Sequence, residues 1–215
     1  NQGTNLGGWN YTRPDNSGDL STTHFVMAGL AASAVIVDGA AMTLPDAAPF
    51  VDNTKNGDGG HRYRSGNEAA STSTMTAAGV RGYRFAQRNT GHEQVQSALE
   101  WLRANYRYDS IIQMNNWPGH YYYLWAASVA FLLTTDDGSG NFLFSNEIGG
   151  SRDPAEDGFA EENASWFYDF AWWLMETQDG DGGWTRSRAW NRLGGHAFAI
   201  LTLSRSMGGV CIVDS

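Results

Sequence analysis

Apolar and polar positions along the chain repeat with a helical period, in segments of two kinds. Segments of the first kind are small and apolar and cover 19–34, 71–87, 119–134 and 191–205. Those of the second kind are amphipathic, with Glu, Arg and Gln on one stripe and Trp, Leu and Phe on the other. They cover 92–106 and 162–178, with a weaker version at 45–54. Helices rich in Ala, Gly and Leu can pack closely on several sides, whereas a single apolar stripe suits one buried face. Alternation of the two kinds therefore predicts an inner and an outer layer, with four inner helices and about three outer ones. Asp19 or Ser21 can cap the first inner helix, Ser71 the second and Asn191 the fourth.

A second regularity joins the layers. Three times a Gly-Gly turn followed by an aromatic residue precedes an inner helix by about ten residues. The turns are Gly7-Gly8-Trp9, Gly59-Gly60 with His61 and Tyr63, and Gly182-Gly183-Trp184. Self-similarity at a few tens of residues marks a repeat architecture, in which each unit buries its apolar face on its neighbours. The 215 residues are expected to form a single domain, 1–215, that opens inside a repeat and lacks the first outer helix or preceding repeats.

Composition narrows the function classes. A hydrophobic content of 41%, with nine Trp and nine Tyr, predicts a folded chain. The formal net charge of −9 and scattered basic residues argue against nucleic acid or anionic lipid, since both need clustered Lys and Arg. No run reaches the eighteen or so apolar residues of a membrane span. The single cysteine, Cys211, forbids an internal disulfide and is given a packing role. A start at Asn1 without Met points to an extracytoplasmic setting.

Gln178-Asp179-Gly180-Asp181-Gly182-Gly183-Trp184, at the end of a Trp-rich helix, resembles the Gln-Trp motif of the prenyltransferase and squalene oxidase repeat. Gln2 to Trp9 is similar to a stretched copy. The family comprises squalene-hopene cyclases, oxidosqualene cyclases and protein prenyltransferase β-subunits. The resemblance is strongest at 7–34, 59–85, 121–133 and 166–205. It implies an all-α fold, an α/α toroid or partial barrel of about four helix-pair repeats whose inner helices line a central cavity.

The resemblance also locates where catalysis would sit. Squalene-hopene cyclases carry an Asp-x-Asp-Asp acid motif before an inner helix, and the matching place here retains only Asp19, in Asp19-Leu20-Ser21-Thr22. Asp19 is thus the candidate proton donor, and a helix N-cap is the competing role. Protein prenyltransferases place a zinc-binding Cys near the start of an inner helix, and no cysteine stands at such a start here. No cofactor and no metal is expected.

Candidate ligand-binding residues are His24, His120 and His196 in the opening turns of inner helices, with Tyr121, Tyr122 and Trp125 as an aromatic wall. Ligand nitrogens lie about 2 Å from a metal ion while neighbouring helix axes are about 8–10 Å apart, so cavity lining is favoured over a shared ion. The stretch Asp52-Asn53-Thr54-Lys55-Asn56-Gly57 copies only the start of a calcium loop, because Tyr63 falls where a bidentate Glu is required. The expected function is a binding or assembly module that has lost the family's catalytic motifs and takes an apolar isoprenoid-like molecule or a protein partner, with association through the open toroid edge. Two enzymes are the alternatives: a squalene cyclase type using Asp19 or His24, and a polysaccharide-active toroid using Glu147, Asp153, Glu156 or Asp157.

Overall fold

The computed structural model describes residues 7–11, 18–37, 39–66, 69–112, 119–138, 140–184 and 192–204. Among these the chain is all-helical, with seven α-helices, short 3-10 turns and no strand. The helices are α1 (Leu20–Ser33), α2 (Ala48–Thr54), α3 (Ser73–Phe85), α4 (Glu93–Ala104), α5 (His120–Leu132), α6 (Trp166–Glu176) and α7 (Arg192–Leu203). Each falls inside a segment picked out by periodicity.

The small apolar helices pack as a row in which α1 lies against α3, α3 against α5 and α5 against α7. α2 and α4 pack on α3, and α6 packs on both α5 and α7. Position in the row decides burial. Every residue of α3 except Arg84 is buried, as is every residue of α5 from Tyr121 to Phe131. Gly79 and Gly82 are what let α3 be approached from two sides: a Cβ at Gly79 would meet the His61 ring at 2.6 Å, and one at Gly82 the Val51 side chain at 3.0 Å. α4 buries one stripe, Val95, Ala98, Leu99, Trp101 and Leu102, as its pattern requires. α1 and α7 end the row and leave apolar side chains exposed, with Phe25 on α1, Ile36 and Met42 beyond it, and Leu193 and Ile200 on α7. The buried apolar side chains of all seven helices join in one cluster.

The turns at Gly59-Gly60 and Gly182-Gly183 are copies of one another at the level of single hydrogen bonds. In one, Asn56 N–H donates to Gly60 O (2.8 Å), Gly59 N–H to Asn56 O (3.1 Å) and Gly60 N–H to Asp58 Oδ1 (3.0 Å). In the other, Asp179 N–H donates to Gly183 O (2.7 Å), Gly182 N–H to Asp179 O (2.8 Å) and Gly183 N–H to Asp181 Oδ1 (3.1 Å). Gly7, Gly59 and Gly182 hold φ of 85°, 89° and 82°, a left-handed conformation that glycine adopts without steric cost.

Each turn then docks on the row helix that follows it. Trp9 N–H donates to Thr23 Oγ1 and His61 N–H to Thr76 Oγ1, both at 3.0 Å. Trp9 O accepts from Asp19 N–H (2.9 Å) as His61 O accepts from Thr72 N–H (3.0 Å). At the third turn Trp184 Nε1–H donates to Leu174 O on α6 (2.8 Å), and Gln178 Nε2 donates to Gly182 O (2.9 Å). There the inner helix comes so close that a Cβ on Gly195 would meet Trp184 O at 3.0 Å.

Helix caps agree with the sequence at α1, where Asp19 accepts from Thr22 N–H (2.7 Å). At α3 the cap is Thr72, which accepts from Met75 N–H (3.2 Å). Ser71, expected in that role, donates instead to Asp58 Oδ1 (2.7 Å), whose side chain also receives Trp101 Nε1–H. Asn191 lies outside the described residues. Loops are fastened by a second carboxylate: Asp169 of α6 accepts from Ser151 N–H (2.9 Å), Arg152 N–H (3.0 Å) and Tyr106 Oη–H (2.7 Å).

Candidate functional site

All four helices of the row bring a side chain to one aromatic cluster. α1 supplies His24 and Phe25, α3 supplies Arg81, α5 supplies Tyr122 and Trp125, and α7 supplies Phe198. Tyr122 and Trp125 stand three residues apart and so share a helix face. Their rings are 6.0 Å apart at 24°. Phe25 lies parallel over both, 6.0 Å from Tyr122 at 7° and 5.0 Å from Trp125 at 19°. Phe198 tilts against both at 5.3 Å. Tyr122 and Trp125 are buried, while Phe25 is 42% exposed and forms the outer cover.

Polar groups sit inside these rings. His24 Nε2 and the Tyr122 hydroxyl are 2.6 Å apart in a buried hydrogen bond. His24 Nδ1 is buried without a hydrogen-bond partner among the described residues. Burial, with help from the Arg81 charge, holds the His24 imidazole well below its ordinary pKa, so it is neutral at pH 7. The Arg81 guanidinium stacks on Trp125, 4.2 Å from the ring centroid, and is 5.9 Å from that of Phe85. Arg81 is 1% exposed, and its Nε and Nη1 have no hydrogen-bond partner among the described residues. Burial lowers its pKa to about 10, which leaves it a cation at neutral pH. No carboxylate pairs with it among the described residues. The buried Trp125 Nε1 also has no partner among the described residues.

The other residues singled out in the sequence are not in this cluster. His120 packs its ring edge-on against Trp173 of α6 at 4.1 Å and stacks over Tyr123 at 6.3 Å. Burial drops its pKa to about 4. Tyr121 also faces Trp173, at 5.7 Å, and His196 packs edge-on against Trp184 at 5.6 Å. The three inner-helix histidines therefore face three different surroundings, and no group of three metal-ligating side chains occurs among the described residues.

Asp19 is fully buried and both of its oxygens are engaged in the first turn of α1. Oδ1 accepts from Ser21 Oγ–H (2.6 Å) and Thr22 N–H (2.7 Å), and Oδ2 from Thr22 Oγ1–H (3.1 Å). These are the contacts of a helix N-cap. Three of the four acidic candidates, Glu147, Asp153 and Asp157, are also held in local contacts, and Glu156 is exposed. Asp157 pairs with Arg152 and accepts from Tyr168 Oη–H (3.1 Å), Asp153 accepts from Ala155 N–H (2.9 Å), and Glu147 accepts from Phe144 N–H (3.1 Å). Asp52, the first residue of the calcium-like stretch, is held by both guanidinium nitrogens of Arg88, at 2.6 and 2.7 Å.

Comparison with models of known protein families finds no match, and no curated protein matches the sequence.

Arg81, Phe25 and Phe198 were not legible as site residues. The available signal for Arg81 is a cation directly after the run Ala77 to Val80 of a small apolar helix, a position where a charged side chain is rarely left buried without a partner.

Proposed function

We propose that the chain is part of an α/α toroid of the terpenoid cyclase and prenyltransferase repeat type and that it binds an apolar molecule against the aromatic cluster of its inner helices. One observation carries the reading: Phe25, Tyr122, Trp125 and Phe198 come from three different helices of the row and stack into a single aromatic surface with a partly exposed cover. Stacked aromatic faces offer a flat apolar ligand large contact area at low entropic cost. The row of α1, α3, α5 and α7, with α2, α4 and α6 behind it, supports the toroid arc. The repeated turn chemistry at Gly59 and Gly182 supports a repeat origin.

The proposed role is binding rather than alkene protonation, because the hydrogen bonds of Asp19 tie its carboxyl to α1. In the same reading, further repeats or a protein partner cover the exposed apolar side chains at the two ends of the row, Ile36 and Met42 beyond α1 and Leu193 and Ile200 on α7.

Native mass spectrometry of the purified protein with farnesol and with squalene tests the reading. Retention of one or both is expected, without conversion. Squalene turnover that disappears in Asp19→Asn would establish the cyclase alternative instead, and retention of neither molecule would refute apolar binding.

A further inference from the structure

Resting on that reading of the aromatic cluster, we infer that its ligand is an apolar monocarboxylate, whose head group pairs with the buried guanidinium of Arg81 between His24 and Trp125. A buried cation is normally found with an anion, because leaving it unpaired forfeits its hydration with nothing in return. Arg81 is 1% exposed, and its Nε and Nη1 donors are unmatched among the described residues. Stacking on Trp125 compensates the charge in part and supplies no hydrogen-bond acceptor. The buried indole Nε1–H of that same Trp125 is also unmatched, as is His24 Nδ1. Three helices thus place unmatched polar groups in one aromatic enclosure, and an oxyanion accepts from guanidinium and indole N–H groups alike.

Charge counting selects the head group. Arg81 brings one positive charge, and His24 beside it is neutral at pH 7. A single negative charge is balanced there, whereas a phosphate dianion or a diphosphate would bring an excess into a chain already at −9. The body of the ligand is apolar because the surrounding walls are Phe25, Tyr122, Trp125 and Phe198. Phe25 is the exposed member and rests on Trp125 at the outer side of the cluster.

The test compares dodecanoate, dodecanol and dodecyl phosphate by calorimetric titration of the whole chain below their micelle concentrations. The wild type is expected to prefer dodecanoate to dodecanol by roughly tenfold or more, the strength of a charge-assisted hydrogen bond. In Arg81→Met that preference collapses to within about twofold, while Arg81→Lys, which keeps the charge but loses the stacked planar fork, retains part of it. Circular dichroism melts of both variants confirm folding, and Arg81→Met is expected to melt no lower than wild type because it removes an unpaired buried charge. Equal binding of the acid and the alcohol by wild type would overturn the carboxylate inference and leave apolar binding standing. Tighter binding of dodecyl phosphate than of dodecanoate would overturn the monoanion assignment. Binding of none of the three would sink the apolar-site reading itself.

Discussion

His24 and Tyr122, ninety-eight residues apart in sequence, are joined by a 2.6 Å hydrogen bond that ties α1 to α5, the two helices packed on either flank of α3. The bond joins two of the side chains of the aromatic cluster directly. Replacing Tyr122 with Phe leaves the His24 ring with both nitrogens buried and unmatched. The expected cost is about 1–3 kcal/mol of unfolding free energy, which for a chain of this size lowers Tm by roughly 2–4 °C per kcal/mol. A double-mutant cycle with His24→Phe checks the origin: the double variant should lose less than the sum of the singles. Additive losses would mean that the two side chains do not depend on each other.

Acid should weaken the fold well above the range where carboxylates titrate. Burial keeps His24 neutral, lowers His120 to about 4 and lowers His61 to about 3. In the unfolded chain each returns to about 6.5. Between about 6.5 and 4 the unfolded state thus binds more protons than the folded one, so stability is complete above that window and is lost as pH falls through it. Each histidine contributes a slope of up to about 1.4 kcal/mol per pH unit. Urea unfolding at pH 7.5, 6 and 5 should show the decline, and His120→Phe should flatten it. A flat profile from 7.5 to 5 would contradict the burial of these rings.

Equivalent turns should not tolerate the same substitution equally. Gly59 and Gly182 share a left-handed backbone, and alanine there costs roughly 1–2 kcal/mol for conformation alone. A Cβ on Gly59 would also lie 2.8 Å from Ser97 O, whereas one on Gly182 meets nothing within 4 Å. Gly59→Ala should therefore destabilise more than Gly182→Ala, by about 1–3 kcal/mol from the added crowding. Equal losses in denaturant titrations would show that α4 does not press on the first of these turns.

The helices were legible because the chain states their burial in its composition. α3 and α5 are enclosed on all sides and are written in Ala, Gly and aromatic residues, while α4 shows one apolar stripe because it has one buried face. Asp19 could be read as a cap because its role is local. Ser71 was misassigned as a cap because its partner, Asp58, is brought to it by the fold. The same limit applied to the site. Tyr122, Trp125 and His24 were picked out one by one from helix starts, but their association across α3 is a tertiary fact, and nothing local distinguished His24 from His120, which faces α6. Arg81 acquires its meaning only from the absence of a carboxylate around it, which no spacing along the chain can express.

The aromatic cover should control access. Phe25 is 42% exposed and rests on Trp125, so Phe25→Ala should speed association of an apolar ligand while weakening the complex through lost stacking, roughly 0.5–1.5 kcal/mol. Stopped-flow binding of farnesol checks both effects. Unchanged association and dissociation rates would place entry elsewhere.

Apolar binding at the row's aromatic cluster is most directly tested by fluorine NMR of protein labelled with 5-fluorotryptophan, with the Trp125 resonance assigned from Trp125→Phe. Among the nine tryptophans, farnesol is expected to shift Trp125 and to leave Trp101, buried on α4, unmoved. A titration in which Trp125 stays fixed while other resonances move, or in which none moves, would contradict the account.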